Sequence, residues 1–321
     1  MKPFLTPLKD RRLLKPVAVA AGYTAWILLT KLLLLTFTTY FLTSSRPYPP
    51  KFEEISEATS STELVVLGLS ALIFVLIVRS FSTSSAVSSA KRVFSPERFE
   101  KKFLPGVFHG VLFAIGLVFA FLISGQYRYV GFFVQIENPA VGVFGIALRT
   151  VSLLVWIFAE ETVFRRMILP SLVQVWSRHY SADAKPWAIA FVTILYCIVK
   201  MIQFDLGYMH LITLALISIA VSIRTLLDED ILRGAGFLAA ILIVFHCVLS
   251  LSVFGSEFSG IFFLKYQGGG DFLPHFLTGG SSGPLSSFAF QLLLIFDIVR
   301  GLLKIGTITA NTPQVMNQAT R

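Results

Sequence analysis

Apolar runs of about twenty residues recur along the chain, and that is the length a helix needs to cross the hydrocarbon core of a bilayer. They fall at roughly residues 17–42, 64–81, 106–124, 141–170, 186–201, 206–227, 231–254 and 285–303. In a chain of 321 residues, 55% apolar with a mean hydropathy of +0.75, they leave no room for a second folded domain. The expected fold class is therefore all-α, a polytopic transmembrane helix bundle of about eight spans. The lipid bilayer is the first partner.

The net charge of +9 resides mainly in the tails and short connections. In such a chain it reads as topology and headgroup contact, and it gives no reason to expect nucleic acid. Basic residues follow the second, fourth and eighth runs and fill the N-terminal tail, which places both termini in the cytoplasm and residues 255–284 outside. The expected setting is the cell inner membrane. The run from Leu13 onward is too long for a cleaved leader and lacks a small-residue cleavage site, so it reads as a retained first span. Cys197 and Cys247 lie far apart in apolar segments and read as small buried hydrophobes. No cofactor and no metal is expected, since the five histidines are scattered and show no ligand spacing.

Within residues 153–170, LLVWIFAEETVFRRMILP, two adjacent acids enter an otherwise apolar helix. At helical spacing Glu161 and Arg165 share a face, while Glu160 lies on the next face, between Trp156 and Phe164. A charged side chain in a bilayer costs about 3 kcal/mol or more, so such groups turn towards protein and find partners. A pair at the helix end accounts for Glu161 and Arg165 and leaves the second acid unexplained. His246 sits deep in the seventh run, with Ser250 expected one turn later on the same face. Lys200 lies towards the outer end of the fifth run, where it either snorkels and pairs with Asp205 or points inward. His210 lies near the start of the sixth. A paired carboxylate and a deep histidine suit peptide hydrolysis, with one acid as general base on water and the histidine or arginine steadying the oxyanion. The same spacing is equally compatible with a proton pathway or a structural polar cluster.

Glu160, Glu161 and Arg165 form an EExxxR string within AEETVFRRMILP, and this resembles the CAAX-protease and bacteriocin-processing family. Its members are intramembrane glutamic peptidases of about eight helices, related to CAAX prenyl protease 2. The likeness spans residues 104–254. The family's aromatic-xxx-His motif is matched by Tyr196 to Lys200, with lysine in place of histidine. Its HxxxN motif is matched by His246 to Ser250, with serine in place of asparagine. The resemblance implies Glu160 as the base that activates water, Glu161 with Arg165 as an orienting pair, and His246 as a retained helper. Lys200, Ser250 and His210 are substitutes or support. A protonated lysine donates but does not accept a proton as neutral histidine does.

The chain divides on this reading into a tail with two added spans (1–103), a CAAX-protease-like core (104–254), and an external loop, final span and tail (255–321). Two functions follow. One is an intramembrane endopeptidase hydrolysing a membrane-tethered peptide through glutamate-activated water. The other is a catalytically inactive relative serving as a structural or accessory subunit of a membrane protein complex.

Overall fold

A computed structural model describes residues 11–45, 48, 51–81, 96–134, 139–178, 184–204, 206–253, 260–268 and 272–310. The chain is largely helical: α1 (Leu14–Ser45), α2 (Phe52–Phe81), α3 (Leu104–Ile123), α4 (Pro139–Glu161), α5 (Leu169–Ser177), α6 (Ala184–Gln203), α7 (Tyr208–Asp228), α8 (Leu232–Ile243), α9 (Phe272–Thr278) and α10 (Phe288–Ala310). Helix is dictated by the solvent, because in lipid a segment must satisfy its own backbone groups. The prolines cooperate: Pro16 and Pro186 fall in the first turns of α1 and α6, where a missing N–H costs nothing.

Pro170 is an exception. It lies inside a continuous helical stretch, Val141–Ser177, that joins α4 to α5 and runs for 37 residues. The joint is a π-helical turn, Thr162–Ile168. A proline here would clash with the carbonyl four residues back, and the wider turn immediately before it relieves that clash. The stretch is about 55 Å long at the usual rise, well beyond the roughly 30 Å hydrocarbon core.

Among the described residues, six helical stretches are long and apolar enough to cross a membrane: Leu14–Ser45, Thr62–Ser80, Pro96–Ile123, Val141–Ser177, Ala184–Gln203 and Tyr208–Asp228. Of the other two expected spans, one is corrected. The run 231–254 forms only the shorter helix Leu232–Val248, which unwinds through a second π turn at Val244–Val248. The run 285–303 begins in a 3-10 turn, Pro284–Ser286, and continues as the 23-residue helix α10, which carries Asp297, Arg300 and Lys304.

The segments after α3 and before α10 are also more regular than expected. β1 (Tyr127–Phe132) pairs antiparallel with β2 (Phe262–Tyr266), in register Tyr127↔Tyr266 through Tyr129↔Leu264 and, past an irregularity, Gly131↔Phe263. The Tyr127 hydroxyl donates to the Gly280 carbonyl at 2.8 Å, tying this small sheet to the turns before α10. The sheet lies at the end of the bundle where α3 stops and α4 begins. At the opposite end, Lys102 donates to the Asp228 carbonyl at 2.6 Å and joins the base of α3 to the α7–α8 turn.

Small residues set the closest helix contacts. Gly106, Gly110 and Ala114 form one buried stripe on α3, facing α8. A side chain at Gly110 would meet the Phe237 carbonyl and, at 2.8 Å, the Ala240 methyl; one at Gly236 would meet the Phe103 carbonyl at 2.6 Å. This is how backbones approach where lipid offers no hydrophobic drive for association. Leu28, Leu29, Leu32 and Leu33 on α1, by contrast, stay exposed and meet lipid.

Gly110→Val is expected to lower stability by about 1–3 kcal/mol through overpacking. Gly116→Ala, on the open side of the same helix with nothing within 4 Å, should change it little or raise it. Melting midpoints of the purified protein in detergent check the contrast, and equal midpoints for the two variants would refute tight α3–α8 packing.

Candidate functional site

Glu160 and Glu161 close α4, and both are buried, at 2% and 0% exposure. They diverge as helical spacing requires. Glu161 turns along its own helix to Arg165, whose Nη1 lies 3.4 Å from its Oε1. Glu160 turns across to α6, where the Lys200 ammonium approaches Oε1 at 2.7 Å. The Tyr23 hydroxyl, on α1, donates to the same oxygen at 3.3 Å. Lys200 is 1% exposed. It does not snorkel outward, and the Asp205 proposed as its partner lies outside the described residues.

Aromatic rings enclose both cations. The Lys200 ammonium sits 3.9 Å from the centre of the Trp156 ring, one helical turn before Glu160. The Arg165 guanidinium lies 4.6 Å from the Tyr196 ring, one turn before Lys200. Phe164 meets Tyr196 edge-on at 5.1 Å and Tyr23 at 6.0 Å, so the two ion pairs share a wall of rings. The negative faces of these rings give the cations a second favourable contact in a region without water. Arg165 also donates through Nη2 to the Ser218 carbonyl on α7 at 3.4 Å. Four helices therefore converge on four charges.

A further layer closes the top of this cluster. Lys31 of α1 pairs with Glu63 of α2 at 2.6 Å and donates to the Gln203 carbonyl at the end of α6. Its ammonium lies 4.9 Å from the Phe204 ring, which itself packs against Trp156. A cation at a helix C-terminus meets carbonyls that have no intrahelical donor.

His246 lies on the π turn that follows α8. It is buried within the electrostatic reach of Arg149, and the neighbouring Cys247 thiol meets the Thr150 hydroxyl. Arg149 lies eleven residues before Glu160 on α4, about 16 Å along the axis. Ser250 departs from expectation. The helix ends before it, and Ser250 adopts a left-handed conformation with φ 53°. Its hydroxyl accepts from the Gly260 N–H at 2.8 Å and fixes the chain leaving the helix. His210, buried at the start of α7, lies beside Ser282, away from the acids.

Chemically, the arrangement neutralises charge. Oε1 of Glu160 is taken by two donors, and the group is closed from solvent. Tyr23 was missed by sequence reading, because nothing in the spacing of α1 points to α4. It belongs to the N-terminal segment, residues 1–103, and touches the core acid. Among the described residues, no three metal-binding side chains gather.

Removing one partner of a buried ion pair typically costs about 3–5 kcal/mol, whereas replacing both by apolar groups is often neutral. Lys200→Met is accordingly expected to destabilise strongly, and Lys200→Met with Glu160→Leu to recover most of the loss. Denaturant titration of the two single variants and the double variant forms a cycle that reads the coupling directly. Additive single losses would remove the pair from its central place. Comparison of the chain with family models, characterised proteins and solved structures finds no match.

Proposed function

We propose that the chain is a non-hydrolytic membrane protein, an accessory or structural subunit of a membrane complex, built on a peptidase-like arrangement of acids. The observation that carries this reading is the 2.7 Å contact between Lys200 and Glu160. A general base on water works beside a group that can relay its proton. Here an ammonium and a phenol both fall on Oε1 and fix the carboxylate in place, and an ammonium does not take up the proton that a catalytic imidazole would. The intact EExxxR string serves the fold in this account. Arg165 holds Glu161, and both tie α4 to α6 and α7.

The protein belongs in this reading to the inner membrane, with both termini cytoplasmic and the sheet between β1 and β2 outside. Cysteine labelling at position 270, in a background with Cys197 and Cys247 replaced by alanine, should proceed in intact cells; labelling only after permeabilisation would invert the topology.

Cleavage of a membrane-tethered peptide reporter by purified protein tests the function. Wild type and Glu160→Ala should release product equally slowly, at the background rate. Robust wild-type turnover that is lost in a folded Glu160→Ala variant would establish the peptidase instead. Lys200→His with Ser250→Asn restores the family pattern. The second change suits the left-handed position, which asparagine tolerates well. Gain of turnover in that double variant alone would identify Lys200 as the group that silences the acid.

A further inference from the structure

At the end of the bundle opposite the sheet, a cavity of 510 Å³ opens between the α4–α5 stretch, the start of α6 and the α7–α8 turn. Its wall carries four cations, Arg98, Arg165, Arg166 and Lys185, against two acids, Glu229 and Asp230. Asp230 is already engaged. It lies 3.9 Å from Arg98 and 3.8 Å from Lys102, and its Oδ1 accepts from the Leu232 N–H at 3.2 Å. Glu229 is exposed at the rim.

The back of this cavity is Arg165. Its side chain is 1% exposed, yet its Nε–H and Nη1 make no hydrogen bond. Its contact with Glu161, at 3.4 Å, is an ion pair without hydrogen-bond geometry. Nε and Nη1 are closed to solvent, so Arg165 brings its charge to the back of the cavity, while the accessible cations are the half-buried Arg166, whose planar fork matches the oxygens of a phosphate, and the exposed Lys185. The volume lies within the ordinary range for small-ligand sites, about 300–1,000 Å³. Its place beside Lys102 and Lys185, at the end of the spans, is the level where anionic headgroups collect.

We propose that this cavity binds a phosphate-bearing anion, with Arg165 at its back and Arg166 and Lys185 at its mouth. The ligand is recognised through its phosphate oxygens, and it is either a phospholipid headgroup or a free phosphate. The site does not depend on whether Glu160 is silent, because its accessible cations are Arg166 and Lys185, which lie outside the pair formed by Glu160 and Lys200.

The test uses the full chain in detergent and follows its melting midpoint against added inorganic phosphate, short-chain phosphatidylglycerol or short-chain phosphatidylcholine, with chloride holding ionic strength equal. A saturable rise with phosphatidylglycerol alone assigns a lipid headgroup bearing net negative charge. A rise with both lipids assigns the lipid phosphate irrespective of its neighbour, and one with inorganic phosphate assigns the free anion. In each case Lys185→Ala should weaken the apparent affinity about tenfold, as loss of one charge-assisted hydrogen bond predicts, and Arg166→Ala should add to it. Lys185 is exposed, so its variant keeps the test interpretable should Arg166→Ala fail to fold. No saturable rise with any of the three ligands, or equal rises in wild type and Lys185→Ala, would overturn the proposal. Neither result would bear on reporter cleavage, which separates this failure from that of the functional reading.

Discussion

The bundle is organised by the need to neutralise charge where no water reaches. Glu160, Glu161, Arg165 and Lys200 are all buried to within a few per cent, and each is matched by an opposite charge from the same set. Removing ions from water costs several kcal/mol each, and mutual attraction repays this only with good geometry and additional polar contacts. Those contacts come from Tyr23, the Ser218 carbonyl and the rings of Trp156 and Tyr196. The pair therefore fixes the register of α4 against α6, and Tyr23 draws α1 onto them. A shift of α6 by one turn would carry Lys200 out of reach and leave Tyr196 opposite the acid.

The same rule recurs towards the other end of the bundle. Arg224 of α7 meets Asp297 of α10 at 2.6 Å, and its guanidinium lies 3.8 Å from the Phe237 ring. His109 on α3 approaches the same carboxylate at 3.9 Å. An arginine stacked on an aromatic and paired with an acid thus appears at two levels. Beside the second level, the α3–α8 seam is set by small residues. The polar groups specify which helices meet, and the glycines specify how closely.

How much of this was legible in the sequence depends on the range of the signal. Hydropathy and length located the long helices, because the bilayer sets that length directly. The charge of EETVFRR announced that something inside the protein must answer it, and helical spacing alone paired Glu161 with Arg165. The partner of Glu160 was not readable as a certainty, since Lys200 lies near a helix end where outward snorkelling is also favourable. Tyr23 was invisible, because its contact spans 137 residues and no local pattern encodes it. The C-terminal end of the helix that begins with α8 was misjudged for a different reason. Residues 231–254 stay apolar past the point where the helix unwinds, so hydropathy continues while the backbone changes course. Strand pairing between β1 and β2 likewise joins segments more than a hundred residues apart.

Lysine at position 200 determines what the acids can do. An imidazole there could accept or donate, so Glu160 could share a proton with it and still hold a water. An ammonium only donates, and with Tyr23 beside it the Glu160 oxygen becomes an acceptor for two fixed groups. Trp156 strengthens that choice, because its ring favours a cation at the same point. In the proposed non-hydrolytic reading, such a side chain acts as a strut beside the string EETVFRR. Conversely, Glu161 keeps a carboxylate without a hydrogen bond and faces an arginine that is one of the residues lining the cavity at the opposite end from the sheet. The acid pair therefore divides its work: Glu160 closes the contact between α4 and α6, and Glu161 holds the guanidinium that forms the back of that cavity.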